Sequence, residues 1–172
     1  QIIIFVSFSS ILVGSIVAIW QKNIKRLIAY SSIAHMGFAT LALATGNKAD
    51  LNSILIYMVI YILANIGFFS CLINIQNKSD KNIENVSDLA GLSISNPGLA
   101  ISIALYMFSF AGIPPLAGFF AKYYIFISLI NEGFIILATT ALTASVIGAF
   151  YYIRFIKVMF FDEVDSLSLI HI

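Results

Sequence analysis

Two ionisable side chains lie deep within apolar stretches of this 172-residue sequence: a lysine, Lys122, and a histidine, His35. An amine or an imidazole in such surroundings can still gain and lose a proton when a polar group or a water molecule contacts it. Ionisable residues inside membrane-like segments are costly, and they usually mark a path for ions or protons. We therefore take Lys122 as a candidate proton carrier and His35 as a candidate relay residue.

Each candidate also has a purely structural interpretation. The long stem of Lys122 could carry its charge to the membrane surface, although residues 123–130 add about 12 Å of helix, which is longer than a lysine side chain. His35 could be a neutral histidine that is hydrogen-bonded to a hydroxyl or a carbonyl group, and Ser31, four residues earlier, shares its helix face. The sequence favours a titratable role for Lys122 and leaves both interpretations of His35 open.

The segment GIPP, residues 112–115, interrupts the apolar run that contains Lys122. As one straight helix, residues 98–130 would extend about 50 Å, well beyond a hydrocarbon core of about 30 Å. Pro114 and Pro115 lack backbone donors, and Gly112 tolerates unusual dihedral angles, so we predict a helix break at Gly112–Pro115. Either proline could begin the next helical segment. The carbonyl groups freed by the break need partners, which predicts a polar or hydrated cavity beside it.

Further polar side chains recur at helical spacing. Tyr57, Tyr61 and Asn65 follow one another every four residues and form one stripe, which could join helices or line a polar path. Four residues are candidates for the polar lining of such a path: Ser31, Tyr61, Asn65 and Ser109. Two other groups are interpreted as structural, namely Thr139, Thr143 and Ser145 as small packing residues, and Tyr123, Tyr124, Tyr151 and Tyr152 as residues of the membrane interface.

The elements that must position these residues are membrane-spanning helices. Hydrophobic residues make up 60% of the sequence and charged residues 10%, whereas soluble domains have roughly a quarter of charged residues. A spanning helix needs about 20 mainly apolar residues, and the alternation typical of membrane β-strands is missing from the sequence. We predict an all-α membrane protein with five transmembrane helices, over residues 1–20, 27–46, 51–75, 98–130 and 134–160, the fourth of them broken.

The basic residues indicate how these spans are oriented. Seven basic residues flank one end of the predicted helices and one flanks the other end, which places the seven on the cytoplasmic or matrix side. The seven are Lys22, Lys25, Arg26, Lys78, Lys81, Arg154 and Lys157, and the one is Lys48. The polar connection over residues 76–97 lies on the same side as the seven. It is predicted to be a solvated loop with a short surface helix over residues 86–92.

The sequence lacks the patterns of redox centres and nucleotide sites. Cys71 is its one cysteine, so the chain alone cannot form a disulfide, a CxxC zinc site or an iron–sulfur site. Neither GxGxxG nor GxxxxGK[ST] occurs. We therefore expect no cofactor, no metal and no nucleic-acid partner for this chain.

The two ends of the sequence suggest a fragment. Gln1 begins inside an apolar segment without a preceding Met or basic region, which differs from a signal peptide. We expect residues 1–161 to form one transmembrane unit of a longer protein. We expect residues 162–172 to form an acidic tail with a non-native end, LSLIHI, and therefore exclude His171 from the candidate site.

Three parts of the sequence resemble a known family. They are NIKRLIAYSSIAHMGF (residues 23–38), SDLAGL with NPGLA (87–100) and FAGIPPLAGFFAKYYIF (110–126). They look like the antiporter-like membrane subunits of respiratory complex I, most of all the N type, and the similarity covers nearly all of residues 1–161. Such a subunit has fourteen helices with two inverted five-helix repeats, and each repeat has one broken helix that carries a central titratable residue.

The resemblance implies roles for the chain and for two of its residues. The chain would form the second repeat, helices nine to thirteen, with Lys122 as the lysine of the outer half-channel and His35 near the relay axis. A lysine at position 122 favours the N or L type over the M type. The whole subunit would translocate protons within NADH:quinone oxidoreductase, through a Lys/His/water half-channel driven by quinone reduction elsewhere.

The same resemblance implies where the protein acts and with which partners. The location would be the bacterial inner membrane or the mitochondrial inner membrane, and the partners would be other membrane subunits of complex I, the lipid bilayer and protons. NAD, FMN, iron–sulfur clusters and quinone would belong to other subunits. Two alternatives stay open: a Na⁺/H⁺ antiporter or membrane-bound hydrogenase subunit of the same family, and a non-conducting membrane scaffold.

Overall fold

The computed structural model of the protein is all-helical and describes residues 1–43, 46, 50–79 and 83–162. Within these ranges the chain forms seven α-helices and one 3-10 helix. The α-helices are α1 (Ile2–Ile19), α2 (Ile24–Leu43), α3 (Asp50–Ser79), α4 (Leu92–Ser95), α5 (Pro97–Ala111), α6 (Ala117–Asn131) and α7 (Ile135–Phe161). The 3-10 helix, Val86–Leu89, precedes α4. The predictions for Lys48, Lys81 and residues 163–172 lie outside the described residues.

In the part of the chain that the structure describes, three helices are long and apolar enough to cross a membrane: α1, the Leu51–Ile75 part of α3, and α7. Helices α5 and α6 are also apolar, but they have 15 residues each, because an interruption divides the predicted fourth span between them. Helix α2 has 20 residues and begins at Ile24, three residues before the predicted start of the second span. Lys25 and Arg26 therefore lie in its first turn.

The helices pack so that the interruption is surrounded by other elements. Helix α1 packs against α2, and one bond between them runs from the Ser7 hydroxyl to Thr40 Oγ1 at 2.9 Å. Helices α5 and α6 both contact α3 and α7, and α6 also contacts α2. Polar side chains of α2, α3 and α7 can therefore lie close to the residues of the interruption.

The connection before α4 packs against the helices. The prediction of a solvated loop over residues 76–97 is therefore wrong for residues 83–97, the second part of this connection that the structure describes. Val86, Leu89 and Leu92 are buried. Two backbone hydrogen bonds join this segment to the turn between α1 and α2: Ile24 N donates to Glu84 O at 2.8 Å, and Val86 N donates to Lys22 O at 2.9 Å. The predicted surface helix is divided into the 3-10 helix and α4, because residues 90 and 91 form a turn.

Arg154 near the end of α7 also contacts the end of α1. Its Nη1 donates to the carbonyl oxygen of Ile19 at 2.7 Å, and its Nη2 donates to that of Gln21. Carbonyl groups at the C-terminus of a helix lack partners within the helix, and a cation there also interacts favourably with the helix dipole. Arg154 therefore joins α7 to α1 as well as contributing to the charge bias.

Candidate functional site

The last four carbonyl groups of α5, which helix geometry leaves without helical partners, divide into two pairs. Those of Phe108 and Ser109 accept hydrogen bonds from the backbone amide of Gly112, at 3.1 and 3.0 Å. Gly112 has a φ of 85°, in the left-handed region that glycine adopts without strain at helix ends. The carbonyl groups of Phe110 and Ala111 point to a different partner, a side chain of the next helix.

That partner is Lys122 on α6. Its Nζ donates hydrogen bonds to the carbonyl oxygens of Phe110 at 3.0 Å and Ala111 at 3.1 Å, and to Ser145 Oγ on α7 at 2.8 Å. The Nζ also lies 5.2 Å from the ring centroid of Phe38, a cation–π contact. Since the side chain is only 6% exposed, it points into the protein and does not extend to the membrane surface. The lysine therefore completes the C-terminus of the broken helix.

The interruption is one residue longer than the predicted break at Gly112–Pro115. Helix α6 begins at Ala117, and Leu116 before it is extended, with φ −75° and ψ 156°. The prediction that Pro114 or Pro115 begins the new helix is therefore wrong: both lie in the turn. Pro114 does not begin the helix because Pro115 follows it, and a residue before a proline is disfavoured in the helical region of the backbone dihedral angles.

His35 lies at the centre of a second buried polar cluster. Its Nδ1 is 2.6 Å from the Tyr57 hydroxyl of α3, and its Nε2 is 3.0 Å from the Tyr152 hydroxyl of α7. Tyr152 also shares a short hydrogen bond with Ser31. The Tyr61 ring stacks on the imidazole, with centroids 4.7 Å apart. Both ring nitrogens of His35 thus have a hydroxyl partner, the requirement for a histidine that accepts a proton at one nitrogen and releases it from the other.

A cavity with room for about one water molecule lies between this cluster and the helix interruption. It is lined by His35, Tyr57, Tyr61, Ser109, Phe110 and Gly118, among others. Helix α6 approaches the end of α5 closely here, since Gly118 N donates to Ser109 Oγ at 3.1 Å. A Cβ atom at Gly118 would overlap the Ser109 carbonyl group. The cavity therefore lies between the surroundings of Lys122 and those of His35, and polar groups form part of its wall.

The four residues predicted as polar lining have different positions. Tyr61 and Ser109 line the cavity. Ser31 contacts the cluster through Tyr152. The Asn65 amide donates to the Tyr61 carbonyl of its own helix at 2.9 Å. The structure thus brings three of these residues to the site and places Asn65 one turn away from it.

For two residues of the site the structure goes beyond the interpretation from the sequence or contradicts it. Ser145 is a hydrogen-bond partner of Lys122 as well as a small residue, and it is buried. Tyr152 was predicted at the membrane interface, but it is 1% exposed and bonded to His35; its neighbour Tyr151 is 2% exposed. A signal was present in the spacing, because Ser145, Gly148 and Tyr152 recur at i, i+3 and i+7 and so share one helix face.

The chemistry that this arrangement offers is proton transfer. All three acceptors of Lys122 are uncharged, so dipoles rather than an ion pair stabilise its ammonium group. Over the described ranges, His, Cys, Asp and Glu residues do not assemble into any group of three that could hold a metal ion.

Comparisons with known proteins address the family of this chain. A family model described as "NADH:quinone oxidoreductase/Mrp antiporter, TM" matches residues 1–148. The chain belongs to this family. The matched residues include Lys122, Ser145, His35 and the helix interruption, whereas Tyr152 lies four residues beyond the match.

Individual members of the NADH:quinone oxidoreductase/Mrp antiporter family are similar to nearly the whole chain. NADH-quinone oxidoreductase subunit N from Parvibaculum lavamentivorans is 51% identical, and subunit N 1 from Rhizobium meliloti is 50% identical; each alignment covers 95% of this chain and 34% of the relative. A chain of respiratory complex I from Thermus thermophilus has the same fold, with a TM-score of 0.80 and 33% identity over 95% of this chain and 36% of that chain.

The chain spans about a third of the length of the curated relatives it matches. Its apolar helices and its family make it an integral membrane protein, and its bacterial relatives assign it to the bacterial inner membrane.

Proposed function

We propose that this chain is part of a proton-translocating membrane subunit of NADH:quinone oxidoreductase, and that Lys122 is its proton carrier. The observation that carries the proposal is the position of the Lys122 ammonium group, which is buried and bonded to the end of a broken helix. Broken backbone inside a membrane is tolerated where protein or water satisfies it, and an ionisable group there is by default a functional one. Lys122 gains and loses a proton at this point.

His35 relays protons in this proposal. Its two nitrogens contact the hydroxyls of Tyr57 and Tyr152, and the adjacent cavity admits about one water molecule toward the interruption. Lys122 and His35 are also close neighbours, since both contact Phe38 and Phe110. Positive charges on both would repel each other strongly in these surroundings, so protonation of one favours proton loss from the other.

The helices form one inverted-repeat half of a larger antiporter-like subunit in this proposal. In this proposal α1, α2, α3 and α7 each span the membrane. Helices α5 and α6 together form the remaining span, which is broken and is the fourth in chain order. Two helices of 15 residues are each about 22 Å long, less than the hydrocarbon core, but together they cross it. The partners are lipid, protons and the other membrane subunits, and NAD, FMN, iron–sulfur clusters and quinone act elsewhere in the enzyme.

The experiment replaces Lys122 in the full-length protein within the assembled complex. NADH-driven proton uptake by inverted membrane vesicles is measured per NADH oxidised and per assembled complex, for Lys122→Met and Lys122→Arg. We expect the Met variant to lose at least about tenfold in proton uptake, since it has no exchangeable proton. The Arg variant should also fail, because a guanidinium group stays protonated.

Lys157→Met is the matched control, because that lysine is 66% exposed and bonded to Asp162 near the end of α7. It should leave proton uptake unchanged. Proton uptake by Lys122→Met at the level of the control would refute the role of Lys122.

A second candidate function is Na⁺/H⁺ antiport, or ion transport in a membrane-bound hydrogenase, within the same family. It is favoured by the three oxygen atoms around Lys122 Nζ, because backbone carbonyls at helix breaks also coordinate Na⁺ in transporters. Sodium-dependent transport by the full-length protein would support this candidate, and transport that is independent of sodium would exclude it.

A third candidate is a non-conducting scaffold, in which Lys122 only joins α5, α6 and α7. It predicts that Lys122→Met lowers the amount of assembled complex while proton uptake per complex stays normal.

A further inference from the structure

The Lys122 ammonium group has as many hydrogen-bond acceptors as it has donors. A protonated lysine carries three N–H groups. The structure provides two backbone carbonyls, those of Phe110 and Ala111, and one hydroxyl, that of Ser145. The charged form is therefore fully satisfied by the protein.

The three acceptors are not equivalent once the proton has left. A neutral amine has two N–H groups and one lone pair, and the lone pair accepts a hydrogen bond. Backbone carbonyl groups can only accept, whereas a serine hydroxyl both accepts and donates. Among the three partners, only Ser145 can therefore donate a hydrogen bond to the lone pair of the neutral amine.

The hydroxyl of Ser145 also differs in its partner from the hydroxyls of the three threonines of α7. Thr139, Thr140 and Thr143 donate to carbonyl groups of their own helix, at distances between 2.8 and 3.1 Å. The Ser145 hydroxyl instead accepts from Lys122 of the neighbouring helix. Its side chain is buried, so its hydroxyl lies where an unpaired polar group is costly.

We propose that Ser145 is the proton-transfer partner of Lys122, an inference that rests on the proton-carrier role proposed above. The Nζ–H bond directed at Ser145 breaks as a new Oγ–H bond forms along the same contact, and the hydrogen that Oγ carried before passes to a water molecule. The amine lone pair then accepts the new Oγ–H. The carbonyl groups of Phe110 and Ala111 keep their two hydrogen bonds throughout, so the end of α5 stays capped.

The test compares Ser145→Ala, which removes the hydroxyl, with Ser145→Thr, which keeps it. Both changes are made in the full-length protein within the assembled complex. Thr143→Ala is the matched control, because it removes an exposed hydroxyl two residues away on the same helix. Proton uptake per NADH oxidised is measured over a range of pH, together with the amount of assembled complex.

The pH profile is informative because the other titratable groups near the site are unchanged in these variants. Those groups are His35 of α2, Tyr57 and Tyr61 of α3, and Tyr151 and Tyr152 of α7. We expect Ser145→Ala to lower proton uptake per complex about tenfold and to shift its pH profile, since a hydrogen bond to a charged group is lost. Ser145→Thr and Thr143→Ala should resemble the unchanged protein.

Two results would refute the role of Ser145 and leave the proposed role of Lys122 intact. Ser145→Ala could keep a normal rate and pH profile while Lys122→Met has lost proton uptake. Alternatively, Ser145→Ala could lower only the amount of assembled complex, which would give the serine a purely structural role. Normal proton uptake by Lys122→Met would instead remove the proposed function, and the inference with it.

Discussion

Replacing Gly118 by alanine tests whether the close approach of α6 to the end of α5 supports the site. The added Cβ atom would overlap the Ser109 carbonyl group, a backbone obstacle that cannot rotate away. Overpacking of this kind costs about 1–3 kcal/mol, and loss of the bond from Gly118 N to Ser109 Oγ adds about 1 kcal/mol. Alanine regains about 1 kcal/mol through its higher helix propensity.

With the obstacle in the backbone, the upper end of the overpacking range applies, and the net destabilisation is about 2–3 kcal/mol. This corresponds to roughly a 30- to 150-fold change in the unfolding equilibrium. Because Lys122 is one helical turn beyond Gly118, a displaced α6 also separates the ammonium group from the carbonyls of α5. We therefore expect lower thermal stability and lower proton uptake together.

The assay is the thermal unfolding midpoint of the purified complex, with NADH-driven proton uptake measured on the same preparation. Gly98→Ala is the control, because a Cβ atom at that position of α5 has nothing within 4 Å. The control should be as stable as the unchanged protein or slightly more stable. If Gly118→Ala and Gly98→Ala share the same midpoint and the same proton uptake, the packing argument is wrong.

Two further predictions concern hydrogen bonds between helices. Tyr152→Phe keeps the ring but removes the hydroxyl that contacts His35 and Ser31, so proton uptake per complex should fall several-fold while assembly stays normal; unchanged uptake would exclude this hydroxyl from the relay. Arg154→Ala removes two hydrogen bonds from a charged group to the partly buried carbonyls of Ile19 and Gln21, should cost about 1–3 kcal/mol in total, and should reduce the amount of assembled complex on native gels. Lys157→Ala, at an exposed position, should not reduce it, and equal losses in both variants would contradict the prediction.

The helix interruption could be predicted because its causes are local. Pro114, Pro115 and Gly112 restrict or release the backbone wherever they occur, and the length of the apolar run showed that one straight helix would not fit a membrane. The inward direction of Lys122 could be anticipated from the length of helix beyond it. Its acceptors could not, because they depend on how α5 and α7 pack against α6.

Ser145 and Tyr152 show the limit of reasoning from one helix at a time. A serine among alanines on α7 has the same sequence pattern whether it fills space or binds a neighbour. Tyr152 lies two residues before Arg154, close to the charged end of α7, where membrane proteins also place interfacial aromatic residues. Only the positions of α2 and α6 in the fold distinguish these cases, since His35 and Lys122 come from those helices.

The segment that follows α3 also affects how charge is distributed inside the protein. Val86, Leu89 and Leu92 join one apolar cluster with residues of α2 and α7, such as Ile24 and Phe155. Such a layer has a low dielectric constant and gives no support to an ion. Because a medium of low dielectric constant screens charges weakly, a proton in the polar interior and the basic residues at that end of the protein still interact across this layer.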